Sequence, residues 1–191
     1  LPFLFKDSIL YGGAAAVSRS LGLITFPVIA HHFSPAEYGV IDYFGVLGSL
    51  LVVTIIFGQD SSLARFFYEY EDKENRQQVV SQSFFAQLLL AILIVPILFL
   101  FAEKFSTLLI KSELSFVLFE LILLQAPFLF LVSFSQNLLR WSFERRKFLI
   151  MSLGTVLFNA VITVTGLIFF NFGIIQVVAV GVVVNFIFGA L

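Results

Sequence analysis

Apolar residues fall along this chain in runs of about twenty, separated by short polar segments, with no period-two alternation. The runs lie at about 9–30, 40–58, 79–101, 115–138, 149–170 and 172–191. A helix of about 20 residues, rising about 1.5 Å per residue, crosses the roughly 30 Å hydrocarbon core of a bilayer. The pattern therefore predicts an all-α fold: a polytopic transmembrane helix bundle of about six spans, with 1–191 forming a single transmembrane lobe. A transmembrane barrel would alternate with period two, and it is excluded on that ground. The breaks are short except for Gln59 to Gln78. Ser61 or Ser62 can cap a helix there. Arg65/Glu69, Glu69/Lys73 and Asp72/Arg76 stand at i, i+4, so this linker is expected to continue as helix. Pro127 is expected to kink the fourth span.

Composition sharpens this. Of 191 residues, 60% are hydrophobic and 12% charged, with mean hydropathy +1.04. Soluble domains average about 45–50% apolar and 25% charged. The chain has no cysteine. Disulfide frameworks, thiol catalysis and cysteine metal sites are thereby excluded. Ala14 to Val17 has a faint likeness to a signal cleavage site, but the apolar run continues well past it. The chain opens without methionine and ends at Leu191 inside an apolar run, so it is expected to be a fragment of a longer chain.

The net charge of −1 says nothing about partners, but the placement of the basic residues is informative. With Arg19 set aside, Lys6, Arg65, Lys73, Arg76, Arg140, Arg145, Arg146 and Lys147 fall on one side of the predicted topology. Lys104 and Lys111 fall on the other, a split of eight to two. The positive-inside rule then predicts a cytoplasmic N-terminus and cytoplasmic second and fourth linkers. These basic residues flank spans as topology requires, so nucleic-acid binding has no support.

No hydrolase triad, phosphate-binding loop, dinucleotide fingerprint or metal cluster is present, and the chain calls for no cofactor. His31 and His32 are adjacent and so do not share a helix face. No catalytic residue is assigned. The informative residues are the polar ones inside the spans. Arg19 sits in the middle of the first, at a cost of about 2.5–3.5 kcal/mol on insertion scales. Ser8, Gly12, Ala15, Ala16 and Gly22 share its face. Two readings stand: a cation in a membrane cavity awaiting an anion, or a structural partner of an acid on a neighbouring helix, Asp42 or Glu120. In the fifth span Ser152, Thr155, Asn159, Thr163 and Gly166 form one stripe. In the fourth, Gln125, Ser133, Gln136 and Arg140 form another. Gln82 and Gln87 add polarity to the third. Such stripes glue helices together or line a wet path, and their presence on several helices points to a shared cavity.

Ser18-Arg19-Ser20-Leu21-Gly22, then Ser34-Pro35-Ala36-Glu37-Tyr38-Gly39 and Asp42-Tyr43-Phe44, resemble the start of the polysaccharide flippases. These are the Wzx-like O-antigen and exopolysaccharide exporters of the multidrug/oligosaccharidyl-lipid/polysaccharide superfamily. Phe5-Lys6-Asp7-Ser8 and the segment from Gly58 to Glu69 (GQDSSLARFFYE) are similar to the same family. The likeness covers about residues 5–70, and the remainder matches in hydropathy alone.

The resemblance implies the N-terminal lobe of a two-lobed transporter in the bacterial inner membrane. Such a transporter moves undecaprenyl-pyrophosphate-linked oligosaccharide between leaflets by alternating access, with no bond made or broken. It implies Arg19 as the pyrophosphate ligand, since the related lipid II flippases carry an arginine in a similar Ser-Arg-x-Leu-Gly context. Asn159, Gln125, Arg65 and Arg140 are then further substrate contacts, and Asp42 and Glu120 are sites for a coupling proton or sodium ion. The implied partners are the lipid-linked oligosaccharide, membrane lipids and the polysaccharide polymerase machinery. A multidrug cation antiporter of the same superfamily is the first rival, although it would want cavity acids rather than a midplane arginine. A membrane-embedded glycosyl- or acyltransferase is the second, with Asp60 as its one thin candidate. A non-transporting scaffold or decayed gene fragment is the third.

Overall fold

The computed structural model describes residues 2–109 and 114–191, and among them there is helix and turn but no strand. In chain order the helices are α1 (Pro2–His32), α2 (Pro35–Ile56), α3 (Gln59–Glu69), α4 (Lys73–Leu100), α5 (Ala102–Leu109), α6 (Ser115–Trp141), α7 (Arg145–Phe170) and α8 (Ile174–Gly189). Five are long and apolar enough to cross a membrane: the Ile9–His32 part of α1, then α2, α4, α6 and α7. The sixth expected span is α8, an apolar helix of 16 residues. At about 1.5 Å per residue it is roughly 24 Å long, about a turn short of the hydrocarbon thickness.

The bundle is built around α6. In its most apolar stretch 44% of residues are buried, against 6–22% in the other four long helices. The reason is visible in its sequence. Leu118, Phe119, Ile122, Leu123, Ala126 and Phe130 recur at three- and four-residue steps and are all buried, so α6 offers a broad apolar face to several neighbours. It packs against α2, α4, α5, α7 and α8, while α1 rests chiefly on α7. Lipid is as apolar as leucine, so close van der Waals fit rather than escape from water holds such helices together. Phe44 and Ile55 of α2 are fully buried, as are Leu118, Leu123 and Phe130 of α6. Phe84 of α4 stacks on Phe130 at 6.1 Å and meets Phe134 edge-on at 5.2 Å.

Helices α7 and α8 meet through glycines. A Cβ on Gly154 would lie 2.7 Å from the Phe188 ring, and one on Gly166 would lie 2.2 Å from the Phe172 ring. The turn between them is closed by Asn171 in the left-handed region (φ 50°, ψ 50°), and the Phe172 N–H donates to the Gly166 carbonyl at 3.2 Å. Asparagine tolerates that conformation better than most residues.

At the α1–α2 corner Ser34 and Glu37 form a capping box. The Glu37 carboxylate accepts the Ser34 N–H at 2.8 Å, and the Ser34 hydroxyl accepts the Glu37 N–H at 3.3 Å.

The second linker departs from expectation. It is two helices with a break at Tyr70 to Asp72, not one continuous helix. The N-cap of α3 is Gly58 (φ 70°), with no side-chain cap, so Ser61 and Ser62 lie inside the helix. Arg65 and Glu69 do pair, at 3.8 Å on the exposed surface. Glu69 and Lys73 lie on opposite sides of the break. Asp72 caps α4 by accepting both Asn75 N–H groups, backbone and side chain, each at 3.0 Å. A carboxylate that satisfies orphan N–H groups at a helix start is better used there than in an exposed ion pair. The backbone bond from Asn75, with its side chain second, holds the Asp72 carboxyl below the usual carboxylate range. Arg76 turns instead to the Tyr70 carbonyl, at 2.7 Å. The third linker holds the short helix α5; Lys111 and Glu113 lie outside the described residues. Helix α6 continues on both sides of Pro127.

Candidate functional site

A cavity of about 500 Å³ opens among α1, α2, α6, α7 and α8. It lies at mid-depth, displaced toward the end where α1 passes into α2. Small and polar residues at three- and four-residue steps do not fill the space between helices, and this leaves the void. On α1 they are Ser18, Gly22 and Thr25; on α7 they are Thr155, Asn159 and Thr163. Gly45 and Gly48 face it from α2, Gln125 from α6, and Gly181 and Asn185 from α8. None of the lining residues is charged.

The hydrogen bonds of the lining run mostly back into its own helices. Ser18 donates to the Ala14 carbonyl at 2.9 Å, Thr25 to Gly22 at 3.1 Å and Thr155 to Met151. Each hydroxyl has thus spent its proton and keeps its lone pairs. Asn185, 5% exposed, donates its amide to the Gly181 carbonyl at 2.8 Å, and its Oδ1 has no donor. Gln125, Asn159 and Thr163 make no hydrogen bond among the described residues. Gly181 is small for a reason: a Cβ there would lie 2.9 Å from the Gln125 amide nitrogen.

Of the expected site residues, the structure brings Asn159 and Gln125 together in this cavity. Arg19 is exposed and stands beside the cavity, not in it. Ser18, Leu21, Gly22, Thr25 and Ile29 centre the lining face of α1, and Arg19 lies about 100° around the helix from that centre. It shares the exposed face with Gly12, Ala15 and Ala16, while Gly22 reaches the cavity edge. Asp42 is exposed on α2, next to the lining residue Ile41. Glu120 is half-buried on α6. Among the described residues no ion pair joins Arg19 to either acid. Arg65 and Arg140 lie at the far end of the bundle: Arg65 on α3, Arg140 in the last turn of α6 with its guanidinium 5.3 Å from the Phe148 ring centroid. From Leu129, the last lining residue of α6, Arg140 is about 16 Å along the axis. No lining role falls to Ser133, Gln136 or Ser152. Gln82 is exposed. Gln87 is fully buried and donates to Ser83 within α4, and the Ser83 hydroxyl donates to Gln59 at 3.1 Å, so Ser83 ties α4 to α3. Among the described residues no cluster of three or more metal-ligating side chains forms.

Sequence reasoning missed Asn185, although it is the one amide between Gln176 and Leu191 in an otherwise apolar helix. It also passed over a latch at the far end. Asn137 of α6 donates to Asp60 Oδ2 at 2.9 Å, while Asp60 Oδ1 is buried without a donor. Burial pushes the Asp60 carboxyl above its ordinary range, against the opposing pull of Asn137 and Arg140. The pair sits seventy-seven positions apart, and no local pattern announces it.

Compared with known proteins, the chain matches one family model, described as "Polysaccharide biosynthesis protein", over residues 4–191. No curated protein and no solved structure gave a match.

Proposed function

Because the chain belongs to the polysaccharide biosynthesis protein family and is a multi-pass membrane protein of polysaccharide export, we propose that it is one lobe of a flippase for lipid-linked oligosaccharide. The lobe works in the bacterial inner membrane with its N-terminus in the cytoplasm, as the eight-to-two basic split supports. The observation that carries this reading is the open, uncharged cavity lined by five helices, mostly apolar but set with Gln125, Asn159 and Asn185, with an arginine on the adjoining face of α1. The glycan-bearing headgroup occupies the cavity side, and the Arg19 guanidinium holds the pyrophosphate by charge-assisted, bidentate hydrogen bonds. The polyprenyl tail stays against the apolar outer surface. Arg65 and Arg140 at the far end attract the substrate or anionic lipid headgroups before entry. Asp42 and Glu120 are the acids available for a coupling proton or sodium ion. Transport proceeds by alternating access, with rocking of lobes. The polymerase machinery receives the flipped substrate. A cation antiporter is disfavoured because no carboxylate lines the cavity. A transferase is disfavoured because Asp60 is engaged by Asn137 far from it.

The test is export in cells that lack the native transporter and carry the full-length protein. Arg19→Ala should abolish surface polysaccharide while expression stays near normal, and Arg19→Lys should keep part of it. Breaking a buried ion pair costs about 3–5 kcal/mol, and removing both members costs much less. A structural arginine would therefore be rescued by Arg19→Ala/Asp42→Ala or Arg19→Ala/Glu120→Ala. Near-normal export in either double variant, or in Arg19→Ala itself, overturns the assignment.

A further inference from the structure

We propose that Arg140 is a two-position switch: while Asp60 holds a proton, the guanidinium stays over the Phe148 ring and binds α7 to α6, and when Asp60 ionises it turns to the Asp60 carboxylate and releases Phe148. This device does not depend on what the cavity binds.

Asn137 donates to Asp60 Oδ2 at 2.9 Å, and Oδ1 is buried without a donor. This setting suits a neutral acid: the proton sits on Oδ1, and Oδ2 goes on accepting from Asn137. Ionised in the same place, Asp60 would hold a charged oxygen out of water and unpaired, which is strongly disfavoured. Burial accordingly raises the carboxyl above its ordinary range, and ionisation comes as pH rises through that raised value. Helix α3 packs on α4 and α6. On α6, Arg140 stands three residues beyond Asn137 on the same face, and its charge already acts on Asp60. The other charge on α6, Glu120, is about 25 Å along the helix from Asn137. On α4 the charges are Lys73, Glu74 and Arg76, about 10–15 Å along the axis from Ser83, which meets Gln59 beside Asp60. Arg76 lies over the Phe67 ring instead, at 5.4 Å. On α3 itself Arg65 pairs with Glu69. Arg140 is therefore the cation that an ionised Asp60 recruits. Among the described residues it has no ion pair, and its hold is on the Phe148 ring, 5.3 Å from the centroid. Glu144 is taken by Lys147 at 3.7 Å. A cation–π contact and an ion pair at the edge of solvent are both weak, so one proton decides between them. Phe148 is buried and meets Tyr11 of α1 edge-on at 5.0 Å. Because α1 rests chiefly on α7, the Arg140–Phe148 contact lies on the seam between that pair of helices and α6. Helix α3 stays docked in both states, since the Tyr68 hydroxyl donates to the Trp141 carbonyl at 3.2 Å and the Phe67 ring lies 6.3 Å from that of Trp141. Ionisation of Asp60 thus loosens the α1–α7 pair from α6 at this end and tightens α3 onto it, a two-state element biased by one charge.

The experiment uses the full-length protein in lipid nanodiscs. Infrared difference spectra across a pH titration follow the protonated carboxyl of Asp60, identified as the band that Asp60→Asn removes. Phe148→Leu takes away the resting place of Arg140 and should lower the midpoint of that band by about half a pH unit or more, because the guanidinium is then free to stabilise the carboxylate. Arg140→Gln should raise the midpoint by a similar amount. Spin labels at Gln82→Cys on α4 and Ile150→Cys on α7, both exposed positions, report the seam by electron–electron double resonance. Their distance distribution should lengthen or broaden as pH rises through the Asp60 midpoint. In Asp60→Asn and in Arg140→Gln it should stay the same at every pH. If Phe148→Leu does not fold, the loss of this pH response in Arg140→Gln carries the test. The proposal is overturned if no Asp60 band titrates, if Phe148→Leu leaves the midpoint where it was or raises it, or if the label distance ignores pH or responds equally in Asp60→Asn.

Discussion

Adding one methyl group at the end of α7 should loosen the corner that sets α7 against α8. In Gly166→Ala the new Cβ would lie 2.2, 2.3 and 2.9 Å from three ring carbons of Phe172. Carbon atoms sit best at about 3.5–4.0 Å, so the ring must retreat by at least about 1.3 Å. It has little room. Phe172 packs against both buried clusters, and its backbone N–H is tied to the Gly166 carbonyl at 3.2 Å. Overpacking of this kind costs about 1–3 kcal/mol, and three close ring atoms argue for the upper half. The exchange of glycine for alanine in a helix returns up to about 1 kcal/mol. The net loss should be about 1–2 kcal/mol, read from SDS-driven unfolding of the purified full-length protein. In a Phe172→Ala background the obstacle is gone, and the same methyl should stabilise by up to about 1 kcal/mol. The sign of the effect should therefore reverse between backgrounds. An equal penalty in both, or stabilisation in the native background, would refute the wedge.

Other outcomes follow from the same structure. Asn171→Gly should hold or raise the thermal midpoint, whereas Asn171→Val should cost about 1–2 kcal/mol, because a branched side chain is poorly tolerated at φ 50°. The Asp60 carboxyl is raised above its ordinary value, so the folded state binds its proton more tightly than the unfolded state. Stability linked to this group is fully present below the ordinary carboxylate pKa and falls as pH rises through the folded value. Asp60→Asn should thus be the more stable form at neutral pH and lose its advantage in acid. A wild type more stable at neutral pH would contradict this. For topology, single cysteines at Ser61 and Ser142 should be protected from an impermeant thiol reagent in intact cells, and one at Lys104 should label. Labelling at Ser142 but not at Lys104 would invert the orientation. Ser106 is unsuitable as a probe, being 2% exposed with its hydroxyl donated to the Glu103 carbonyl.

The helical architecture was readable because hydropathy and length speak for membrane helices one at a time. The α7 stripe of Thr155, Asn159 and Thr163 was readable because a four-residue period is a local property. Which way a stripe faces is not local. The α1 face around Arg19 and the α1 face around Ser18 are both rich in small residues, and only the docking of α1 onto α7 decides which one meets the cavity. Gln125 was legible as a polar residue in an apolar helix, and Asn185 carried the same signal unread. The break between α3 and α4 was hidden because the i, i+4 charge pattern and the Asp72 cap compete for the same carboxylate, and the cap prevails. The Asp60–Asn137 latch needed tertiary structure to appear.

The fit of Phe188 against Gly154 constrains inheritance as well as stability. With a Cβ only 2.7 Å from the ring, position 154 cannot enlarge while Phe188 stands. A lineage that gains a larger residue at 154 must first, or at once, accept a smaller one at 188, and a lineage that keeps the phenylalanine keeps the glycine. Helices α7 and α8 are therefore expected to change as a coupled pair. A chimera that takes one of them from a distant relative without the other should assemble poorly, even when every individual residue is well suited to a membrane.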